Sequence, residues 1–141
     1  KLVTPHFGLY TSSSDGSVVN EFAYSTEEEA ISLQTSEMMK QILEGVVSEG
    51  GGTKAYIEGY SIGGKTATSQ KLPRGSGKYI SSFIGFAPAE NPQVIAMCLI
   101  DEPTGVYYGG TIAAPVVKTL YENILPYLGI ERSVQLEKNS D

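Results

Sequence analysis

The middle of the chain carries apolar side chains at the spacing of an amphipathic helix. The stripe, at i, i+3 and i+4 positions, consists of Met38, Met39, Ile42, Leu43, Val46 and Val47. Thr35 or Ser36 can cap its start, and residues 50–52, all glycine, end it. We expect this stripe to lie in the hydrophobic core rather than in a cofactor site.

Strand patterns follow in the second half of the chain. Residues 79–86 predict a strand and residues 94–100 a fully buried one, and the short connection between them suits an antiparallel pair. A last helix has Pro115 in its first turn, and Pro126 ends or kinks it. Its apolar face would consist of Val116, Val117, Leu120, Tyr121, Ile124 and Leu125.

The first thirty residues are rich in turn signals. Asp15-Gly16 lies between β-prone runs and predicts a hairpin, because glycine accepts a positive φ at no steric cost. Residues 25–29 predict a solvated acidic loop. We find no internal repeat and no linker that would divide the chain.

Composition narrows the possible functions. The 141 residues include 16 Asp plus Glu against 10 Lys plus Arg, a formal net charge of −6. We therefore expect no nucleic-acid binding, since phosphate contacts need clustered cations. No apolar run approaches the roughly 20 residues of a membrane span. With one cysteine, Cys98, and one histidine, His6, we also expect no metal site.

Most of the residues that could bind a ligand or take part in catalysis lie in one glycine-lysine-threonine cluster. Residues 59–66, Gly-Tyr-Ser-Ile-Gly-Gly-Lys-Thr, fit the phosphate-loop pattern G-x-x-x-x-G-K-[ST]. The apolar run before Asp101-Glu102 is similar to the strand that holds magnesium in such NTPases. A phosphate loop needs a helix after it, whereas Pro73 and the glycines that follow break any helix there. Nucleotide binding is therefore a remote alternative.

The other interpretation places this cluster on a strand at the edge of a cleft. Lys65 and Ala67 would then point to one face, and Thr66 and Thr68 to the other. A lysine and two hydroxyls can hold a carboxylate, and open backbone groups can align a peptide as an added strand. An ordinary edge strand without a ligand has the same composition, and the pattern alone does not separate the two.

Five segments together carry a resemblance that extends over residues 1–130. In chain order they are LVTPH, ISLQTSEMMKQILEGVVSEGGGTKA, GYSIGGKTATSQK, YISSFIGFAPAENPQVIAMCLIDEP and YYGGTIAAPV. They resemble the C-terminal half of the transpeptidase domain of class B penicillin-binding proteins of the cell-division or sporulation type. The resemblance implies an α+β, penicillin-recognising fold related to serine β-lactamases, with helices packed on an antiparallel five-stranded sheet. Residues 131–141 would form a polar tail.

The same resemblance implies an activity and roles for individual residues. The family cross-links peptidoglycan stem peptides through a serine acyl-enzyme, which β-lactams trap, and needs no cofactor. Its motifs are Ser-x-x-Lys, Ser-x-Asn and Lys-Thr-Gly. Lys65 and Thr66 match the third motif, so Lys65 would support proton transfer, and Thr66, Ala67 and Thr68 would bind the substrate or β-lactam carboxylate. The Thr68 N–H would donate into the oxyanion hole. Ala67 replaces the family's glycine, a methyl that we expect the site to tolerate.

The chain contains neither Ser-x-x-Lys nor Ser-x-Asn. We therefore expect the nucleophile in a missing N-terminal half of the same domain, upstream of Lys1, and no activity from this chain alone. The strand at 94–100 would then keep an unpaired edge and an uncovered apolar face, so we expect self-association or pairing with that half. The parent protein would lie at the extracytoplasmic face of the bacterial membrane, on an N-terminal anchor absent here.

Two further functions remain open at this level. One is a noncatalytic muropeptide-binding or interaction module. The other is a D,D-carboxypeptidase or β-lactam sensor that uses the same site. Septal, elongation and sporulation roles of the parent protein are not distinguished by these residues.

Overall fold

The structure is a computed structural model that describes residues 2–27 and 30–132. The chain divides into two compact units between Ser36 and Glu37, and each unit is described by itself. No helix among the described residues is long and apolar enough to cross a membrane.

The first unit contains two small antiparallel strand pairs. Its strands are β1 (Leu2–Val3), β2 (Tyr10–Ser12), β3 (Val18–Glu21) and β4 (Thr26–Glu27). β1 pairs with β4 and β2 with β3. The predicted hairpin at Asp15-Gly16 is confirmed, with φ +86° at Gly16. The loop predicted at 25–29 is wrong at residues 26–27, whose backbone pairs with β1, and its residues 28–29 lie outside the described residues.

A single carboxylate organises the β2–β3 turn. Asp15 Oδ1 accepts hydrogen bonds from Ser13 Oγ, from Ser17 N at 2.9 Å and from Ser17 Oγ at 2.7 Å. These donors, Ser13 foremost, stabilise the ionised form and lower the pKa of Asp15 to about 2.

Replacing Ser13 with alanine is expected to raise the pKa of Asp15 toward its ordinary value of 3.8, because the most important donor is lost. The folded-state pKa lies below the unfolded one. The contribution of this carboxylate to hairpin stability is therefore fully present above about pH 4 and is lost as the pH falls toward 2. NMR titration of the carboxyl carbon measures this directly, with Ser14→Ala as the control. An unchanged pKa in Ser13→Ala would contradict the assignment.

The second unit is built on a three-stranded antiparallel sheet with helices on one face. Its elements, with the helix that leads into it, are α1 (Leu33–Ser48), a 3₁₀ turn (Thr53–Ala55), β5 (Gly63–Gln70), β6 (Tyr79–Ala87), β7 (Val94–Asp101), α2 (Gly109–Ile112) and α3 (Ala114–Tyr127). The strand order is β5-β6-β7. The predicted strands and last helix are confirmed, and Pro126 lies one residue before that helix ends.

The core lies between the sheet and α3. Phe83 of β6 is fully buried there, and Tyr121 of α3 donates a hydrogen bond to Gly85 O at 2.6 Å. Burial raises the pKa of Tyr121 to about 12. The remaining fully buried apolar side chains include Val47, Ala55, Val117 and Leu125.

The opposite face of the sheet is apolar and open. Its exposed side chains, which we call the open face, are Ile84, Ile95, Met97 and Leu99. Residues alternate along β7, so the prediction of a fully buried strand is wrong: every second side chain faces away from the core. The predicted uncovered face and unpaired β7 edge are confirmed for the described part of the chain.

The helix α1 differs from its prediction at its start and in the burial of its apolar stripe. It begins at Leu33, and Ser32 rather than Thr35 or Ser36 caps it, with Ser32 Oγ accepting from Thr35 N at 3.1 Å. Of the predicted core stripe, Val47 alone is fully buried, whereas Met38, Met39 and Ile42 are exposed. Within the second unit no described element covers the first half of the stripe, which is the physical reason for the difference.

Candidate functional site

The candidate residues lie in a row on β5, at an edge of the sheet. Lys65, Thr66, Ala67 and Thr68 pair with Ile84, Phe83, Ser82 and Ser81 of β6 without a bulge. Among the described residues β5 pairs with no second strand. The prediction that this cluster lies on a strand is confirmed. The phosphate-loop interpretation is wrong, because the lysine and threonine lie inside a strand that turns into a hairpin and not at the start of a helix.

Backbone geometry determines which polar groups face the open edge of β5. Lys71 N donates to Lys78 O at 2.9 Å, so the backbone groups of Lys71 point toward β6. Backbone direction alternates along a strand, and the pairing is regular. The backbone N–H and C=O groups of Lys65 and Ala67 therefore also point toward β6. Those of Thr66 and Thr68 point to the open edge.

The side chains alternate as predicted. Lys65 and Ala67 lie on the open face, while Thr66 and Thr68 lie on the face that packs against the helices. The Lys65 ammonium nevertheless reaches the edge, where Nζ donates to Thr66 O at 2.9 Å. It forms no ion pair with another described residue. The structure thus brings the ammonium and the Thr68 N–H to one edge, but it places both hydroxyls on the other face.

The hydroxyl of Thr68 has a partner that the sequence did not predict. Gly109 N, at the start of α2, donates to Thr68 Oγ1 at 3.0 Å. A Cβ at Gly109 would lie 2.3 Å from both Ala67 O and Ser82 O, so only glycine fits there. Two glycines directly after two tyrosines were the signal of a close approach.

The glycines of the apparent phosphate-loop pattern serve packing. A Cβ at Gly63 would lie 2.2 Å from Phe86 Cζ, and a Cβ at Gly64 would lie 2.5 Å from Phe83 Cζ. Glycine at these positions allows two aromatic rings of β6 to lie against β5. The pattern match is therefore explained by ring packing rather than by phosphate binding.

Three tyrosines lie at the far end of the β5 edge. The rings of Tyr79 and Tyr107 stack with centroids 4.0 Å apart, and the ring of Tyr108 lies 4.8 Å from that of Tyr107. Tyr79 is paired with Gln70, two residues beyond Thr68. A hydrogen bond with Tyr107 raises the pKa of Tyr108, which is largely exposed.

The acidic pair at the end of β7, Asp101 and Glu102, forms ion pairs with lysines. Lys71 Nζ lies 2.8 Å from both Asp101 Oδ1 and Glu102 Oε1, and Lys78 Nζ lies 3.0 Å from Glu102 Oε2. The hydrogen bonds from Lys71 and then Lys78 lower the pKa of Glu102, and those to Asp101 and then Glu102 raise that of Lys71. In the described ranges no cluster of His, Cys, Asp or Glu could hold a metal.

His6 also has a structural environment rather than a catalytic one. Its ring stacks on Tyr24 with centroids 3.7 Å apart, and Nδ1 lies 2.7 Å from Thr4 O. These contacts belong to the first unit.

This chain matches a family model and several known proteins. A family model described as the penicillin binding protein transpeptidase domain matches residues 1–122. Stage V sporulation protein D of Bacillus subtilis is 44% identical over 117 residues, which are 79% of this chain and 18% of that protein. The probable peptidoglycan D,D-transpeptidase PenA of Neisseria flavescens is 37% identical over 115 residues, 78% of this chain and 29% of that protein.

Solved structures give the same result. Penicillin binding protein 3 from Mycobacterium tuberculosis, complexed with ampicillin, has a TM-score of 0.75 at 26% identity and is matched over 91% of this chain and 31% of its own. The apo transpeptidase domain of penicillin-binding protein 3 from Burkholderia pseudomallei has a TM-score of 0.65 at 31% identity, over 79% of this chain and 37% of its own. The chain therefore spans less than two fifths of any of these four proteins.

Proposed function

Because this chain belongs to the penicillin-binding protein transpeptidase domain family, we propose that its β5 edge binds the carboxylate of a peptidoglycan stem peptide or of a β-lactam. The single observation that carries the proposal is the placement of Lys65 and Thr68 at that edge: an ammonium and an outward N–H on a strand whose outer edge pairs with no other described strand. A peptide can add to such an edge through main-chain hydrogen bonds.

Lys65, Thr66 and Thr68 have the following roles in this proposal. The Thr68 N–H donates to the oxyanion that forms when a serine attacks the substrate carbonyl, and loss of one such donor typically costs about 3 kcal/mol of transition-state stabilisation. The Lys65 ammonium attracts the carboxylate and supports proton transfer at the site. The hydroxyls of Thr66 and Thr68 bind the carboxylate. The Ala67 methyl lies on the open face, away from both hydroxyls.

The nucleophile of the proposed reaction comes from outside this sequence, which has no Ser-x-x-Lys and no Ser-x-Asn. We call this chain together with the segment that carries those motifs the complete domain. In the complete domain the other segment covers the open face and completes the sheet, and the isolated chain self-associates through the same apolar surface. The protein acts in peptidoglycan synthesis at the extracytoplasmic face of the bacterial membrane. The proposed reaction needs no cofactor.

The test of this function is the acylation of the complete domain by benzylpenicillin after Thr68→Val substitution. Valine keeps the shape of threonine but removes the hydroxyl, so the second-order acylation rate is expected to fall roughly tenfold, the loss typical of one hydrogen bond to a charged group. Thr68→Ser, which keeps the oxygen, should retain most of the rate. Equal rates for Thr68→Val and the unmodified protein would contradict carboxylate binding at this hydroxyl.

A further inference from the structure

We infer that Gly109 is a positioning residue whose backbone N–H fixes the Thr68 hydroxyl as a hydrogen-bond donor toward the substrate carboxylate. The inference rests on the proposed function of the β5 edge and adds a second element to it, since Gly109 lies 41 residues from Thr68 along the chain. Gly109 does not touch the substrate in this arrangement and acts only through Thr68.

A threonine hydroxyl has a small and well-defined hydrogen-bonding capacity. The hydroxyl has one hydrogen and two oxygen lone pairs, and it rotates freely unless a neighbour fixes it. The N–H of Gly109, 3.0 Å away, occupies one lone pair of Thr68 Oγ1. The hydroxyl hydrogen must then point away from Gly109. A carboxylate accepts hydrogen bonds and donates none, so a hydroxyl whose hydrogen is directed away from Gly109 can donate it to a carboxylate.

The segment that carries Gly109 is attached firmly to the sheet. Ser81, which is fully buried and lies opposite Thr68 in the β5–β6 register, donates a hydrogen bond to Tyr107 O. The ring of Tyr107 stacks on that of Tyr79, which lies on β6 like Ser81. Ser81 therefore anchors the segment two residues before Gly109, next to the hydroxyl that Gly109 contacts.

The close approach of Gly109 to the sheet makes the contact sensitive to substitution. Any Cβ there would lie 2.3 Å from the carbonyl oxygens of Ala67 and Ser82, which are held by strand pairing and cannot move away cheaply. Alanine at this position must push the start of α2 away from the sheet and lengthen the bond to Thr68. The alternative conformations of the hydroxyl then become accessible.

The experiment compares benzylpenicillin with its methyl ester as acylating agents of the complete domain, because the ester lacks the negative carboxylate. Gly109→Ala is expected to reduce the second-order rate for the free acid by roughly tenfold and that for the ester by less than twofold. Thr68→Val should give the same selective loss, and the double variant should lose no more than either single one. Gly45→Ala, in α1 with open space around its Cβ, is the control for a glycine-to-alanine change and should leave both rates unaltered.

A second pair of variants covers the case in which Gly109→Ala fails to fold. Ser81→Ala removes one buried oxygen and introduces no clash, so it should loosen the anchor and lower the free-acid rate about threefold, again with little effect on the ester. Ser82→Ala, on the neighbouring residue and the opposite face, is its matched control and should leave both rates within error.

Four outcomes overturn the inference. Equal losses for acid and ester in Gly109→Ala would indicate general damage to the site rather than positioning of a carboxylate donor. Additive losses in the double variant would mean that Gly109 acts independently of Thr68. A selective loss in Thr68→Val, with none in Gly109→Ala or Ser81→Ala, would refute positioning and leave the proposed function intact, whereas no selective loss in Thr68→Val would refute both.

Discussion

Replacing Lys65 with alanine in the complete domain is expected to slow acylation by β-lactams by roughly 100-fold or more, within the range typical of a group that supports proton transfer. Lys65 holds its ammonium at the open edge by donating to Thr66 O, and it has no carboxylate partner among the described residues. Its positive charge is therefore available to the substrate, in contrast to that of a lysine already held in an ion pair. The measurement is the second-order rate of labelling by a fluorescent penicillin.

The matched control for this prediction is Lys71→Ala. Lys71 follows directly after β5, and its ammonium is held by Asp101 and Glu102. We expect this exposed network to affect acylation by less than twofold. A comparable loss in both lysine variants would mean that the effect is one of general charge and not of position.

An arginine at position 65 separates the two roles assigned to the lysine. Arginine keeps the positive charge but does not release a proton in proteins. If Lys65 contributes to proton transfer, Lys65→Arg should be nearly as slow as Lys65→Ala. Recovery of most of the rate would show that charge alone is needed.

Much of the fold was accessible from the sequence because periodicity directly reflects which side chains share a face. The antiparallel pairing of the strands predicted at 79–86 and 94–100 and the final helix followed from apolar spacing and turn residues, whereas the α+β fold was implied by the family resemblance. The errors concern burial. Residues 94–100 form a continuous apolar run, and such a run does not distinguish a strand buried on both faces from one whose second face lies open. The same kind of error was made for α1, where Met38 and Ile42 were predicted to lie in the core but are exposed.

The sequence predicted how side chains alternate within the site strand, but it did not predict the contacts that the strand makes with distant segments. Alternation placed Lys65 and Ala67 on one face and the two threonines on the other, because side-chain period in a strand is fixed by geometry. The bond from Gly109 to Thr68 joins residues of two elements 41 positions apart, and no local pattern encodes that distance. Likewise, nothing in the sequence separates Ser81 from the other serines, and its role follows only from its complete burial in the structure.

Truncation of a side chain should destabilise the protein to different extents on the two faces of the sheet. The comparison of Phe83→Ala with Leu99→Ala tests this. Phe83 is fully buried, and its ring lies against the backbone of three glycines: Cβ atoms built on Gly52, Gly64 and Gly85 would lie 2.5–3.3 Å from it. Glycines have no side chains that could fill the space left by the ring. The cavity should persist, so Phe83→Ala is expected to cost about 3–5 kcal/mol of unfolding free energy.

Leu99→Ala should respond differently in the isolated chain and in the complete domain. Leu99 is 55% exposed on the open face, so in the isolated chain, measured at a concentration below that of its self-association, its truncation should cost less than about 1 kcal/mol. If the segment with the nucleophile covers that face in the complete domain, the same substitution should cost about 2–5 kcal/mol there. Urea denaturation of both variants in both contexts measures the four values. A small effect of Leu99→Ala in both contexts would mean that the open face stays uncovered, and the proposed completion of the domain would then have to use another surface.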